Sequence, residues 1–139
     1  MVVLLDTNII LDVLQKREGL YDASFSVIEK CAKGECSGFI APHSTPNIFY
    51  IMRKAGVDVS DIRALLSGIM KIMDVTNLDG EDVQAAINRE DFKDFEDCLQ
   101  DECAINVDAD YIITRNTSDF RESTIMAITP EQLLDQFKQ

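Results

Sequence analysis

The first segment of the chain constrains the fold more than any other. Val2 to Leu5 is a short, continuously apolar run that begins with two β-branched residues, which is typical of a central parallel strand covered on both faces. The run ends at Asp6, and apolar residues then recur at helical spacing from Ile9 to Leu14. A strand is therefore predicted to pass directly into a helix, with Asp6 at the junction.

The same alternation continues along the chain. Short apolar runs predict further strands at residues 38–41, 72–75, 111–114 and 125–128. Segments of helical period separate these runs, and Ser44 or Thr45 is expected to cap the helix after the second strand. This alternation predicts a three-layer α/β/α sandwich with a central parallel sheet. With 139 residues, of which 46% are hydrophobic, the chain is expected to form one domain over residues 1–139.

Composition limits the classes of function. The formal charge of −12, from 25 acidic and 13 basic residues, disfavours a protein that coats nucleic acid. A nuclease that places a divalent metal between its carboxylates and a phosphodiester stays open. No stretch reaches the roughly 20 apolar residues of a membrane helix, so a cytoplasmic protein with no membrane partner is expected. The four cysteines have spacings that suit neither zinc nor a disulfide, and buried reduced thiols are expected.

The predicted fold places several acidic and amide side chains at one edge of the sheet. Asp6 ends a strand, and Asn116 and Asp119 follow the strand at 111–114. Because function in such folds gathers at the carboxyl ends of the strands, these side chains are expected to meet. Asp108 and Asp110 precede the same strand and are expected at the opposite edge.

A helix predicted from about Asp94 to Ile105 leads into the strand at 111–114 and must begin near the same edge. Asp94 and Asp97 lie in its first turn, and their i, i+3 spacing puts both carboxylates on one helix face. Crowded carboxylates suit a hard cation such as Mg²⁺ or Mn²⁺. Helix capping and favourable dipole interactions are the alternative explanation for the same residues.

Three motifs, taken together and in this order, resemble those of the PIN-domain family, which includes the VapC-like toxins. They are LLDTNIILD at the start, DFEDCLQ in the middle and DYIITRNTSDF late in the chain. The resemblance implies a three-layer nuclease fold that binds Mg²⁺ or Mn²⁺. It also implies catalytic, metal-binding carboxylates at Asp6, Asp97 and Asp119, with Asn116 beside them. Apart from the resemblance, Asp94 is a candidate to supply a carboxylate that the site lacks.

One position departs from the family pattern. The family usually has a glutamate at the start of the helix after the second strand, near Asn47. An amide oxygen can coordinate a hard ion, but a site short of one charge is expected to hold metal less tightly. Asn8 and Thr114 are expected to order the cleft, and Arg115 is the candidate for binding substrate.

The activity implied is metal-dependent hydrolysis of an RNA phosphodiester. The resemblance further implies a toxin with an antitoxin partner, and a homodimer. Because this chain is acidic, the antitoxin is expected to be a basic protein. Two alternatives stay open. One is a PIN-like protein-interaction module that has weakened or lost catalysis, because of Asn47. The other is a metal-dependent phosphatase, although that class needs a second carboxylate where Asn8 stands.

Overall fold

The computed structural model describes residues 1–138. Its strands are short, and they are β1 (Val2–Leu5), β2 (Ser37–Ile40), β3 (Asp74–Val75), β4 (Tyr111–Ile113) and β5 (Ala127–Ile128). Its helices are α1 (Thr7–Leu14), α2 (Tyr21–Ala32), α3 (Ser44–Lys54), α4 (Val59–Met70), α5 (Gly80–Ile87), α6 (Phe95–Asn106) and α7 (Pro130–Gln136). A single 3-10 turn, Thr117–Phe120, follows β4.

The five strands form one parallel sheet in the order β3-β2-β1-β4-β5. β1 lies at its centre, and its side chains alternate between two hydrophobic clusters. Val3 and Leu5 pack with residues of α1, α2, α3, α4 and α7, whereas Leu4 packs with residues of α5 and α6. Helices therefore cover both faces of the sheet, which confirms the predicted three-layer architecture and explains why β1 is apolar throughout.

The start of α3 differs from the sequence expectation. Ser44 does not cap the helix but lies inside it, fully buried, and His43 occupies the N-cap position without a side-chain capping bond. The hydroxyl of Thr7 donates to the hydroxyl oxygen of Ser44 at 2.8 Å. Ser44 thus joins the first turn of α1 to the first turn of α3, a long-range contact that local sequence does not reveal.

The cysteines are free thiols, all buried in the hydrophobic clusters, as expected. Burial raises the pKa of the Cys31 thiol to about 12, with a smaller contribution from the neighbouring Cys36. Over residues 1–138, no helix has both the length and the apolar character that crossing a bilayer requires.

Candidate metal site

The carboxyl ends of the two central strands meet at one cleft. Asp6 directly follows β1, and its backbone N–H donates to the carbonyl oxygen of Ile113 at the end of β4, at 2.9 Å. α6 begins beside them, where the carboxylate of its N-cap residue Asp94 accepts a hydrogen bond from the backbone N–H of Asp97 at 3.0 Å. Strand ends and a helix start therefore converge on the same space, as the parallel topology requires.

The cleft has a volume of about 450 Å³, which is enough for a small polar ligand. Most of the residues that line it have polar side chains, and they comprise Asp6, Thr7, Asn8, Asn47, Tyr50, Ile51, Asp94, Glu96, Asp97, Gln100, Asn116 and Asp119. No lysine, arginine or histidine is among these lining residues. The cleft is thus a site of concentrated negative charge and oxygen donors.

Asp6 is held in a fixed orientation at the base of the cleft. It is only 6% exposed, and each of its carboxylate oxygens accepts a hydrogen bond. The Thr114 hydroxyl donates to Oδ2, and the Gln100 side-chain amide donates to Oδ1, both at 2.8 Å. Hydrogen bonds to a charged acceptor are the stronger kind, so the carboxylate is anchored before any ligand arrives.

Asp97 shows how strongly the carboxylates interact. The pKa of Asp97 is raised to about 7, most of all by burial and then by the charges of Asp94, Asp6 and Asp119 in that order. Loss of solvent and like charges both disfavour the ionised form. A carboxyl group with this perturbed pKa in a polar cleft indicates a functional site.

The donor chemistry fits a hard divalent cation. Carboxylate and amide oxygens suit Mg²⁺ or Mn²⁺, whereas the thiols that favour zinc lie elsewhere in the core. Over the described residues, no group of three histidine, cysteine, aspartate or glutamate side chains is already close enough to hold a metal ion. Asp6, Asp97 and Asp119 therefore share a cleft without yet forming a closed ligand set.

Asp119 reaches the cleft on the 3-10 turn after β4. Its backbone N–H donates to the carbonyl oxygen of Asn116 at 3.0 Å, and the Asn116 N–H donates to the Thr114 hydroxyl at 3.1 Å. The same hydroxyl donates to Asp6. Thr114 thus links the Asp6 carboxylate to the turn that carries Asn116 and Asp119, which fits the ordering role expected for it.

Two amide side chains complete the wall formed by α1 and α3. Asn47 lies in the first turn of α3 and faces the cleft as an uncharged residue. Asn8 lies in the first turn of α1, and its Oδ1 accepts a hydrogen bond from Arg17 at 3.2 Å. These positions provide oxygen donors but no additional negative charge.

Arg115 does not line the cleft, in contrast to its expected role in binding substrate. Its guanidinium pairs with the fully buried carboxylate of Asp12, and also donates to the Leu20 carbonyl at 2.7 Å and to the Ser24 hydroxyl at 2.9 Å. The sequence shows that Arg115 follows a strand, but not that a buried acid more than a hundred residues earlier would bind it. The structure therefore gives Arg115 a role in joining β4 to α1 and α2.

Asp108 and Asp110 lie away from the cleft, as expected from their position before β4. The Asp110 carboxylate accepts a hydrogen bond from the backbone N–H of Val2 at 2.8 Å, at the opposite end of β1. Asp108 is exposed, with a φ of 53°. Neither carboxylate contributes to the charge in the cleft.

Sequence reasoning did not single out Gln100, although it touches Asp6 directly. Its position three residues after Asp97 puts both side chains on one face of α6, and that spacing was the available signal. A glutamine in a helix carries no other mark of function.

Comparisons with known proteins agree with the fold. A family model described as a PIN domain matches residues 2–118. A search of curated protein sequences found no match. Among solved structures, VapBC2 from Rickettsia felis, bound to a DNA fragment from its promoter, is similar with a TM-score of 0.69 and 16% identity, covering 93% of this chain and 98% of that chain.

Two further structures support the same fold. VapBC-1 from nontypeable Haemophilus influenzae has a TM-score of 0.69 at 14% identity, covering 94% of this chain and 99% of that chain. FitAcB from Neisseria gonorrhoeae has a TM-score of 0.63 at 13% identity, covering 93% and 98%. Because the family model spans most of the sequence, the protein with this carboxylate cleft belongs to the PIN-domain family.

Proposed function

We propose that this PIN domain is a ribonuclease that depends on Mg²⁺ or Mn²⁺ and hydrolyses RNA phosphodiester bonds. The observation that carries the proposal is that Asp6, Asp97 and Asp119 line one cleft, where burial and the neighbouring carboxylates raise the pKa of Asp97 to about 7. Such repulsion is relieved when a divalent cation binds between the carboxylates. The family adds support, because PIN domains are generally nucleases.

The side chains of the cleft have separable roles in this proposal. Asp6, Asp97 and Asp119 are the catalytic, metal-binding residues, with Asp94 and Asn116 beside them at the start of α6 and after β4. When bound, the cation supplies Lewis-acid chemistry, which lowers the pKa of a water molecule and offsets negative charge on the phosphate.

Supporting residues fix the geometry of those carboxylates. Thr114 holds Asp6 and orders the turn that carries Asp119. Asn8 and Asn47 line the cleft with amide groups, which can form hydrogen bonds without adding charge. No protein nucleophile is needed for this reaction.

A direct test compares cleavage of an unstructured RNA by the wild-type protein and by Asp6→Asn and Asp97→Asn in the presence of Mn²⁺. Each substitution removes one proposed ligand with little change in size, and we expect cleavage to fall by more than about 100-fold. Asp108→Asn is the matched control, because Asp108 is an exposed aspartate outside the cleft. Wild-type activity in both cleft variants, with intact folding, would exclude this site.

We further propose that the protein is the toxin of a cytoplasmic toxin–antitoxin pair, since the structural neighbours are such complexes. The cleft is acidic and the formal charge is −12, so the antitoxin segment that binds it is expected to be rich in arginine or lysine. We also propose that the toxin forms a homodimer, which is consistent with a toxin–antitoxin protein of this class. Affinity purification under native expression that recovers no basic partner would contradict the pairing.

The second candidate is a PIN-like interaction module without catalysis. Asn47 in place of a glutamate favours it, as does the finding that no three ligands already converge over residues 1–138. Calorimetry separates the two candidates. Binding of Mn²⁺ at micromolar to low millimolar concentration supports the nuclease, whereas no heat of binding at millimolar Mn²⁺ supports the module.

A further inference from the structure

One polar atom beside the cleft is not explained by the contacts within the protein. Gln100 is only 3% exposed, and its Oε1 is buried without a hydrogen-bond partner among the described residues. A buried acceptor that has lost water without gaining a donor is unfavourable. Such groups are rare in native proteins, and each one calls for a specific explanation.

The orientation of the Gln100 amide follows from its contact with Asp6. Nε2 donates to the Asp6 carboxylate at 2.8 Å. Rotating the amide by half a turn would place Oε1 against that carboxylate, where two acceptors repel each other. Oε1 is therefore directed away from Asp6, and Gln100 is one of the residues that line the cleft.

The position of Gln100 on α6 brings it close to a second carboxylate. Gln100 lies three residues after Asp97, so the two side chains lie on one helix face and both line the cleft. A neutral amide oxygen on a residue that bonds to Asp6 and follows Asp97 by three positions is a ligand that hard cations accept, since Mg²⁺ and Mn²⁺ take carboxylate and amide oxygens alike. A cation there would supply the partner that Oε1 lacks.

We propose that Gln100 is a neutral oxygen ligand of the divalent-cation site, with Oε1 directed at the cation while Nε2 holds Asp6. The inference rests on the proposed function in one respect, the binding of a cation in the cleft. It adds a ligand that carries no charge, so the loaded site is less negative than one completed by another carboxylate. That difference favours the approach of an RNA phosphate to a chain of net charge −12.

Three variants separate the two halves of the Gln100 amide, with Mn²⁺ affinity measured by calorimetry. Gln100→Met has a similar length and removes both the donor to Asp6 and the acceptor. Gln100→Glu removes the donor but keeps an oxygen at the same place. Thr114→Val is the matched control, because it removes the other donor to Asp6 and leaves Gln100 intact.

We expect both Thr114→Val and Gln100→Met to weaken Mn²⁺ binding. Gln100→Met should bind Mn²⁺ about tenfold more weakly than Thr114→Val does. Gln100→Glu is expected to bind Mn²⁺ at least tenfold more tightly than Gln100→Met. If Gln100→Met binds as well as Thr114→Val, or if Gln100→Glu binds no better than Gln100→Met, Gln100 only orients Asp6 and the ligand role is wrong. Failure of the wild-type protein to bind Mn²⁺ would instead refute the proposed function.

A measurement on the wild-type protein removes any dependence on how the variants fold. Direct coordination polarises the Gln100 carbonyl, so its side-chain ¹³Cδ resonance is expected to shift on titration with diamagnetic Mg²⁺. The shift should follow the same dissociation constant as the heat of binding. A resonance that stays in place while Mg²⁺ saturates the site overturns the inference.

Discussion

Replacing Asp97 by asparagine is expected to stabilise the metal-free protein while removing its affinity for metal. The pKa of Asp97 is raised to about 7 in the folded protein, from an ordinary value of 3.8. The folded state therefore retains a proton that the unfolded state loses between these two values. Stability conferred by that proton is complete below about pH 4 and is lost as the pH rises through 7.

The difference of about three pKa units corresponds to a ceiling of about 4 kcal/mol, at 1.36 kcal/mol per unit. Asp97 is only half-buried, so water in the cleft screens part of this energy, and we expect about 1–2 kcal/mol. Asparagine resembles the protonated acid and does not ionise. Asp97→Asn should therefore match the wild-type protein near pH 4 and exceed its melting temperature at pH 8 by about 3–8 °C.

Thermal unfolding in EDTA from pH 4 to pH 8.5, followed by circular dichroism, measures this difference. Asp108→Asn is the control, since Asp108 is exposed and distant from the cleft, and its change should not depend on pH. Added Mn²⁺ should raise the melting temperature of the wild-type protein and of Asp108→Asn, but not of Asp97→Asn. Equal and pH-independent changes in both variants would show that the cleft carboxylates do not repel one another as described.

Three other variants or reagents test neighbouring features. Asn47→Glu adds a negative charge to the cleft lining, so calorimetry should show Mn²⁺ bound about tenfold more tightly, and unchanged affinity would mean that Asn47 does not limit the site. Arg115→Ala removes the guanidinium that pairs with the buried carboxylate of Asp12. Urea denaturation should therefore show a loss of about 3 kcal/mol in the free energy of unfolding. Mn²⁺ affinity should be unchanged in that variant. The Cys31 thiol, with a pKa of about 12, should react with a disulfide reagent at pH 8 only after denaturation, and rapid reaction in the native state would contradict its burial.

The sequence was informative wherever local periodicity or chain order decides the structure. β1 was predictable because an apolar run buried on both faces needs no polar alternation, and Asp6 was placed because it terminates that run. Asp97 could be placed beside Asp6 because parallel topology brings a preceding helix start to the same edge as a strand end. These inferences use only the order of elements along the chain.

Features that depend on distant partners could not be predicted in the same way. Ser44 resembles a helix cap in sequence but accepts from Thr7 in the structure. Arg115 resembles a free cation near the site until the buried Asp12 is placed beside it. Each partner is far away in the chain, so neither helical nor strand periodicity contains the information.

The residues that line the cleft carry no positive charge, which decides how the proposed metal, RNA and antitoxin would bind there. Arg17, which follows α1 in the chain, donates to Asn8 and pairs with Asp12, so it too is engaged in the protein. A polyanion that approaches carboxylates without a counter-charge is repelled. RNA binding by this cleft should therefore require the divalent cation. A basic side chain from a partner would satisfy the same carboxylates, so an antitoxin that occupies the cleft should compete with metal as well as with RNA.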